Sequence, residues 1–266
     1  MALGRNFCNK LWNAFRFSRI GRTCEPFSRT SLADIVSRIP AAGTDLDIDD
    51  HAILLGLIKF CDTFEKFFEN FEINAAVNLI SSFFWGEYCN WYLETSKVRM
   101  RSDNGTVFAV HDVVMRQLLL VLNPFIPFIT EELWSAGDGG EKYSMQNIYC
   151  ETATDLRLNF ERLKLDGEAT WKIVAFKELV NATRRLLSQV TTDRERTVLQ
   201  ILPKNADSMA AIASYLPKLK GLIGVERMEI TEEILQLPSM QTPFGILFLG
   251  GGNPDPRNER AKIEDE

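Results

Sequence analysis

Residues 72–96 form a predicted helix whose apolar side chains fall on two sides rather than one. At helical spacing, one side carries Ile73, Ala76, Val77, Ile80 and Phe84, and the other carries Trp85, Cys89 and Tyr92. A single apolar stripe is enough to cover a core, whereas two apolar sides need neighbours on both. The segment therefore predicts a helix in the middle of a bundle.

Four further helices are predicted nearby, at about 3–19, 46–70, 107–123 and 127–136. Aspartates crowd the start of the second, where carboxylates favour the positive end of the helix dipole. Asp103-Asn104-Gly105 predicts a tight turn, and Pro124 ends the helix that follows it. Together the helices predict an antiparallel bundle.

The chain changes character after Trp134. A polar loop, 137–140, leads to a helix or pair of turns over Leu156–Val190. A βαββ order follows, with strands at Val198–Leu202, Val225–Ile230 and Phe244–Leu249, and a helix at Asp207–Leu219 capped by Asp207 or Ser208. The predicted class is mainly α, a helix bundle (1–150) followed by a linker helix and small α/β module (151–252) and a charged tail, the start of a truncated helix (253–266).

Composition favours a cytoplasmic protein with a full core. Five cysteines, without a Cys-x-x-Cys pair, argue against a disulfide framework and a zinc site, and Cys8, Cys61 and Cys89 fit apolar helix faces. His51 and His111 lie far apart in the sequence, so neither predicts a metal site. No uninterrupted apolar run reaches membrane-spanning length, and the first residues lack the apolar core of a signal peptide.

Charge is polarised along the chain, whose net charge is −6. Residues 1–38 hold seven basic and two acidic residues, whereas residues 41–75 hold two basic and eight acidic ones. Because salt screens charges beyond about 8 Å, a basic first helix can attract RNA on an acidic protein.

The first helix carries Arg5, Asn9, Trp12 and Arg16 on one stripe, opposite Phe7, Leu11, Phe15 and Ser18. Guanidinium and carboxamide groups can pair with phosphates and base edges, and an indole can stack on an unpaired base. A solvated polar face, with Trp12 half-buried in packing, explains the same spacing.

Four segments resemble the valyl-tRNA synthetases, a family of class I aminoacyl-tRNA synthetases. Residues 5–17 resemble the segment that opens their anticodon-binding domain. Residues 84–94 with Lys97 resemble their Trp-x-x-Tyr/Phe-Cys-Asp-Trp-Tyr-Leu-Glu helix, with Asn90 in place of Asp. Residues 123–134 are similar to their His-Pro-Phe-x-Pro-Phe-Ile-Thr-Glu-Glu-Leu-Trp element, with Asn123 in place of His, and residues 255–260 weakly resemble the start of their C-terminal helical arm.

The resemblance implies that the chain binds the anticodon loop of valine tRNA. The residues assigned to that role are Arg5, Asn9, Trp12, Asn13, Arg16, Phe17, Arg22, Leu93, Glu94 and Lys97. Valine anticodons end in A and C, and a carboxylate such as Glu94 can accept from the exocyclic amine of cytosine. A surface pair between Glu94 and Lys97 at i, i+3 is the equal alternative.

The chain lacks the His-x-Gly-His and Lys-Met-Ser-Lys-Ser signatures with which class I synthetases bind ATP. We therefore expect no catalytic residue, metal or cofactor here, and expect ATP and magnesium to be used by a catalytic domain of the same polypeptide. A monomer that contacts no membrane is expected.

Three other hypotheses remain open at this stage. Isoleucyl-tRNA synthetases share the bundle, and a helical scaffold that binds protein would also fit. Glu131 and Glu132 could serve a hydrolase, but neighbouring residues on a helix point different ways, and they resemble a helix N-terminus.

Overall fold

The structure, a computed structural model, describes residues 2–19, 30–41, 45–101, 105–137, 152–188, 198–225 and 227–250. The chain divides into two compact units, Met1–Thr170 and Trp171–Glu266. Arg22, most of the turn predicted at 103–105, most of the loop predicted at 137–140 and the tail 253–266 lie outside the described residues.

The first unit is helical, as predicted. Its helices are α1 (Ala2–Ser18), α2 (Leu32–Ser37), α3 (Ile48–Glu69), α4 (Ile73–Ser82), α5 (Leu93–Thr95), α6 (Lys97–Arg101), α7 (Gly105–Leu122), α8 (Pro127–Gly137) and α9 (Ala153–Phe160). A π-helical segment, Phe83–Tyr92, joins α4 to α5, and a 3₁₀ turn, Glu161–Leu163, follows α9.

The most fully buried helix of the bundle is α7, and the predicted helix 72–96 lies in the core only in its later part, which includes Phe84, Tyr88 and Tyr92. Every residue of α7 from Thr106 to Leu122 is buried, whereas Ile73 and Val77 of α4 are exposed. The apolar spacing of 72–96 predicted burial of its first turns, but these turns follow the α3–α4 turn and face solvent. In the described part of the chain α7 alone is long and apolar enough to span a membrane, and 94% of it is buried within the protein.

The predicted helix 72–96 changes geometry along its length. It is α-helical to Ser82, π-helical to Tyr92 and α-helical again for one short turn. Phe84, Tyr88 and Tyr92 stack in sequence along the π-helical segment, with ring centroids 6.4 Å and 6.3 Å apart. Such wide turns are rare and are frequently found at functional sites.

A short helix that the sequence prediction omitted, α2, begins with a capping box. Ser31 Oγ accepts from the Asp34 amide at 3.1 Å, and the Asp34 carboxylate accepts from the Ser31 amide at 3.1 Å. The Ser-x-x-Asp pattern ahead of Ile35 and Val36 was the signal for it.

The first unit extends beyond residue 150, where the sequence prediction ended the bundle. Ala153, Leu156 and Phe160 of α9 are buried in the bundle core, so α9 belongs to the first unit. The predicted helix over 156–190 is divided, because Lys164 adopts a left-handed conformation after the 3₁₀ turn and α10 (Ala169–Ser188) begins afresh.

The second unit contains a four-stranded sheet. Its elements after α10 are β1 (Val198–Pro203), α11 (Ala206–Ile223), β2 (Arg227–Ile230), β3 (Ser239–Thr242) and β4 (Gly245–Gly250), with strand order β2-β1-β4-β3. β1 and β2 are parallel and are connected by α11, whereas β1–β4 and β3–β4 are antiparallel. Phe176 of α10 stacks on Tyr215 of α11, with ring centroids 4.0 Å apart.

Two details of this unit differ from the sequence prediction. The cap of α11 is Asn205, whose Oδ1 accepts from the Ser208 amide at 2.8 Å, and not Asp207 or Ser208. The strand β3 was omitted because Ser239 and Gln241 are exposed polar residues on a sheet edge, and the alternation of apolar residues is too short to detect.

We expect a pH-dependent stability that depends on His51. Its Nδ1 accepts the Asp166 amide at 3.2 Å, which requires a neutral ring. Burial lowers the pKa of His51, against the opposing charges of Asp50, Asp166 and Asp47. The unfolded chain therefore binds this proton more readily, and stability should fall as pH drops below the ordinary histidine value of about 6.5.

The check is the melting temperature at about pH 7.5 and about pH 5 for the wild type and His51→Gln. Both proteins retain His111, so only the histidine at position 51 differs. The wild type should lose more stability on acidification than the variant, and equal losses would contradict this assignment.

Candidate nucleic-acid interface

The polar stripe of α1 faces outward. Arg5, Asn9, Trp12, Asn13 and Arg16 are all exposed, Trp12 with 36% of its surface, and they fall within about 100° of the helix circumference. The opposite side packs in the core through Leu11, Phe15 and Ser18. These five residues are called the α1 face below.

One side of α1 contacts the helical stretch that holds residues 84–94 and Lys97, the second segment that resembles the valyl-tRNA synthetases. The rings of Phe7 and Phe84 lie 4.9 Å apart, and Lys10 Nζ lies 5.6 Å from the Trp85 ring. Near the end of α1, Lys97 Nζ lies 5.7 Å from the Phe17 ring. The fold therefore brings two regions about eighty residues apart in sequence into one surface.

Glu94 and Lys97 form an ion pair beside the α1 face. Lys97 Nζ lies 2.5 Å from Glu94 Oε2, with about two-fifths of each side chain exposed. Both groups remain accessible to a ligand.

Leu93 is not on this surface. Only 7% of its surface is exposed, and it packs in the core because its side chain lies on the inward face of the helix. The resemblance-based assignment of Leu93 to tRNA contact is therefore replaced by a packing role.

Not all of the basic charge near the N-terminus faces solvent. Arg19 and Arg38 each lie 3.8 Å from the buried carboxylate of Asp112 on α7, one on each oxygen. These two arginines help to hold α1 and α2 against the core. The charge offered to a ligand by the described part of α1 comes from Arg5, Arg16 and the partly buried Lys10.

A buried polar network lies behind the Glu94–Lys97 pair, and the sequence prediction missed it. Asp50 accepts from Tyr92 Oη at 2.7 Å and from both terminal nitrogens of Arg99, Nη1 at 2.5 Å and Nη2 at 2.7 Å. Its neighbour Asp49 accepts from the Trp91 indole at 3.0 Å. Both aspartates had been assigned to the helix dipole alone.

The electrostatics of this network agree with its geometry. Burial raises the pKa of Tyr92 well above its usual range, and the Asp50 charge raises it further. Burial opposes the charge of Arg99, but the bonds to Asp50 outweigh it and raise the Arg99 pKa. At ordinary pH the network therefore consists of a neutral Tyr92 hydroxyl and a charged Arg99 guanidinium, both of which donate to the Asp50 carboxylate.

The nearby side chains of His111 and Cys89 are buried and have structural roles. Both ring nitrogens of His111 lie within hydrogen-bond distance of hydroxyls, Tyr88 at 3.1 Å and Ser96 at 2.9 Å. Burial raises the pKa of Cys89 to about 12; the Lys10 charge opposes this rise and the Glu94 charge adds to it. Among the described residues no group of three or more His, Cys, Asp or Glu could hold a metal.

Asn123 replaces the histidine of the resembled motif and makes a local bond. Its Nδ2 donates to Thr130 Oγ1 at 3.0 Å, which ties the end of α7 to α8. Glu131 and Glu132 lie one turn into α8, and Glu132 is exposed. Asn90, the other replacement, is exposed on the π-helical segment.

A profile of the family described as "Anticodon-binding domain of tRNA ligase" matches residues 50–202. The chain belongs to this family. The matched region includes the Glu94–Lys97 pair and the Asp50 network, whereas the α1 face precedes it.

Relatives named valine–tRNA ligase match more of the chain than the profile does. The protein of Deinococcus radiodurans is 30% identical over 82% of this chain, and that of Laribacter hongkongensis is 28% identical over 91% of it. The protein of Syntrophotalea carbinolica is 28% identical over 98% of the chain. The chain spans 24–29% of the length of these relatives.

We expect Glu94→Gln to leave stability almost unchanged. Exposed ion pairs at i, i+3 contribute little, so the free energy of unfolding should change by less than about 0.5 kcal/mol. Urea denaturation of both proteins measures this difference. A larger loss would mean that Glu94 holds the fold, and that its variants cannot report on binding alone.

Proposed function

We propose that this chain is the anticodon-recognition part of a valine–tRNA ligase and binds the anticodon loop of valine tRNA. The observation that carries the proposal is the junction of the α1 face with the Glu94–Lys97 pair through Phe17. Membership of the anticodon-binding family and the names of the relatives support the choice of ligand.

The chemistry of the α1 face suits an unpaired RNA loop. Arg5 and Arg16 lie eleven residues apart, about 17 Å along the helix, and can each bind a phosphate or a guanine edge. Asn9 and Asn13 offer carboxamides to bases between them. Trp12 has enough exposed ring for a base to stack on it, a contact that contributes about 1–3 kcal/mol.

The Glu94–Lys97 pair suits the last base of the anticodon. In this proposal the Glu94 carboxylate accepts from the exocyclic amine of cytosine, while Lys97 binds the adjacent phosphate. The ion pair places the two side chains next to each other at the surface, where one ligand can reach both.

We further propose that catalysis belongs to a part of the protein outside this chain. There, ATP and magnesium would activate valine, and anticodon binding here would align the tRNA for transfer. The partners are thus valine tRNA and the catalytic domain of the same polypeptide, in a cytoplasmic monomer.

The test is fluorescence anisotropy of the chain with a labelled valine anticodon stem-loop, and with a loop whose final anticodon cytosine is replaced by uridine. The true loop should bind roughly tenfold or more tightly, and Glu94→Gln should remove most of the difference. Equal binding of both loops by the wild type would contradict base recognition.

A salt titration distinguishes RNA binding from a protein-binding scaffold. Arg16→Gln should weaken both loops alike and reduce the slope of log affinity against log salt by about 0.7. Arg185→Gln, an exposed arginine in the last turn of α10, makes the same change of charge and is the matched control. If the control had the same effect, the attraction would be general and not a property of the α1 face.

A further inference from the structure

The helix that carries Glu94 and Lys97 is irregular between these two residues. Helix α5 ends at Thr95 and α6 begins at Lys97, and Ser96 between them has a ψ of −14°, away from α-helical values near −42°. Glu94 precedes this irregularity and Lys97 follows it. Backbone hydrogen bonds continue across it, because the Ser96 amide donates to the Tyr92 carbonyl at 3.0 Å and the Ser96 carbonyl accepts from the Met100 amide at 2.9 Å. The tilt between the two sides then depends on the side-chain contacts that hold each of them.

One carboxylate binds the chain on both sides of Ser96. Tyr92 and Arg99 are seven residues apart, two turns of helix, and both donate to Asp50. Asp50 is fully buried near the start of α3, and its Oδ2 also accepts the Asp47 amide at 2.8 Å. The anchor is thus itself fixed to the first turn of α3.

The arginine anchor is charged and bidentate, which gives it direction as well as strength. Two parallel N–H···O bonds fix the orientation of the guanidinium plane relative to the carboxylate. The Arg99 side chain is only 17% exposed, so it lies behind the surface and not on it. Its action on a ligand at the surface would pass through the residues that it positions.

We propose that Asp50, Tyr92 and Arg99 are positioning residues for anticodon reading, because they hold Glu94 and Lys97 in register across Ser96. This inference rests on the proposed function. Loss of either anchor would let the two sides of Ser96 tilt relative to each other, and Glu94 would no longer meet the amine of the final cytosine at bonding distance. Discrimination between bases would fall while attraction to phosphates stayed the same.

The test uses variants of the full chain that preserve charge, Tyr92→Phe and Arg99→Lys, in the anisotropy assay with cytosine and uridine loops. Each should reduce the ratio of the two affinities by about three- to tenfold, with an unchanged affinity for the uridine loop and an unchanged salt slope. An equal loss of affinity for both loops in Arg99→Lys would instead show that Arg99 acts on RNA binding as a whole and not on base reading, which overturns the proposal.

Trp91→Phe is the matched control. It removes the indole bond to Asp49, which joins the same two helices but lies only on the N-terminal side of Glu94. Its base discrimination should match that of the wild type even if its melting temperature falls. Equal loss of discrimination in this variant would show that general loosening is responsible, and would overturn the proposal.

A second measurement asks whether the anchors act through Glu94. In a Glu94→Gln background, Tyr92→Phe should cause no further loss of discrimination, since the group being positioned is already absent. Additive losses would overturn the proposal. If the wild type itself fails to distinguish the loops, the proposed function fails; if it distinguishes them and both anchor variants do so equally well, only the positioning role fails.

Discussion

Four hydrogen bonds to the buried carboxylate of Asp50 connect the helices that support the candidate RNA surface. They join the start of α3 to the π-helical segment through Tyr92 and to α6 through Arg99. A buried charge is costly unless it is paired and hydrogen-bonded, and this one is both. The network therefore favours a single arrangement of these helices, which the surrounding apolar contacts alone would define less sharply.

The candidate RNA surface depends on this arrangement because its residues come from two regions of the chain. The α1 face is supplied by one helix, whereas Glu94 and Lys97 are supplied by a helix packed along its flank. Aromatic and cationic contacts at Phe7, Lys10 and Phe17 join the two. Local charge, and not the net charge of −6, decides what such a surface attracts.

Much of the fold could be predicted from the sequence. The exposed stripe of α1 follows directly from periodicity, because burying one face of a helix leaves a repeating signature. The helix at 107–123 follows instead from a long apolar stretch that begins after Gly105 and ends before Pro124. Leu93 shows the limit of reasoning from a motif. It stands beside Glu94 in the resembled segment, yet its side chain points inward, since neighbouring helix residues face different directions.

What the sequence by itself determined was the class of fold, the family and the chemistry of the exposed residues, since these depend on local spacing and residue type. Tertiary structure decided which helix is most fully buried, that Asp49 and Asp50 are buried acceptors, and that Phe17 meets Lys97. Those contacts join residues forty to eighty positions apart. Periodicity along one helix carries no information on such pairs, because they arise only when separate helices pack together.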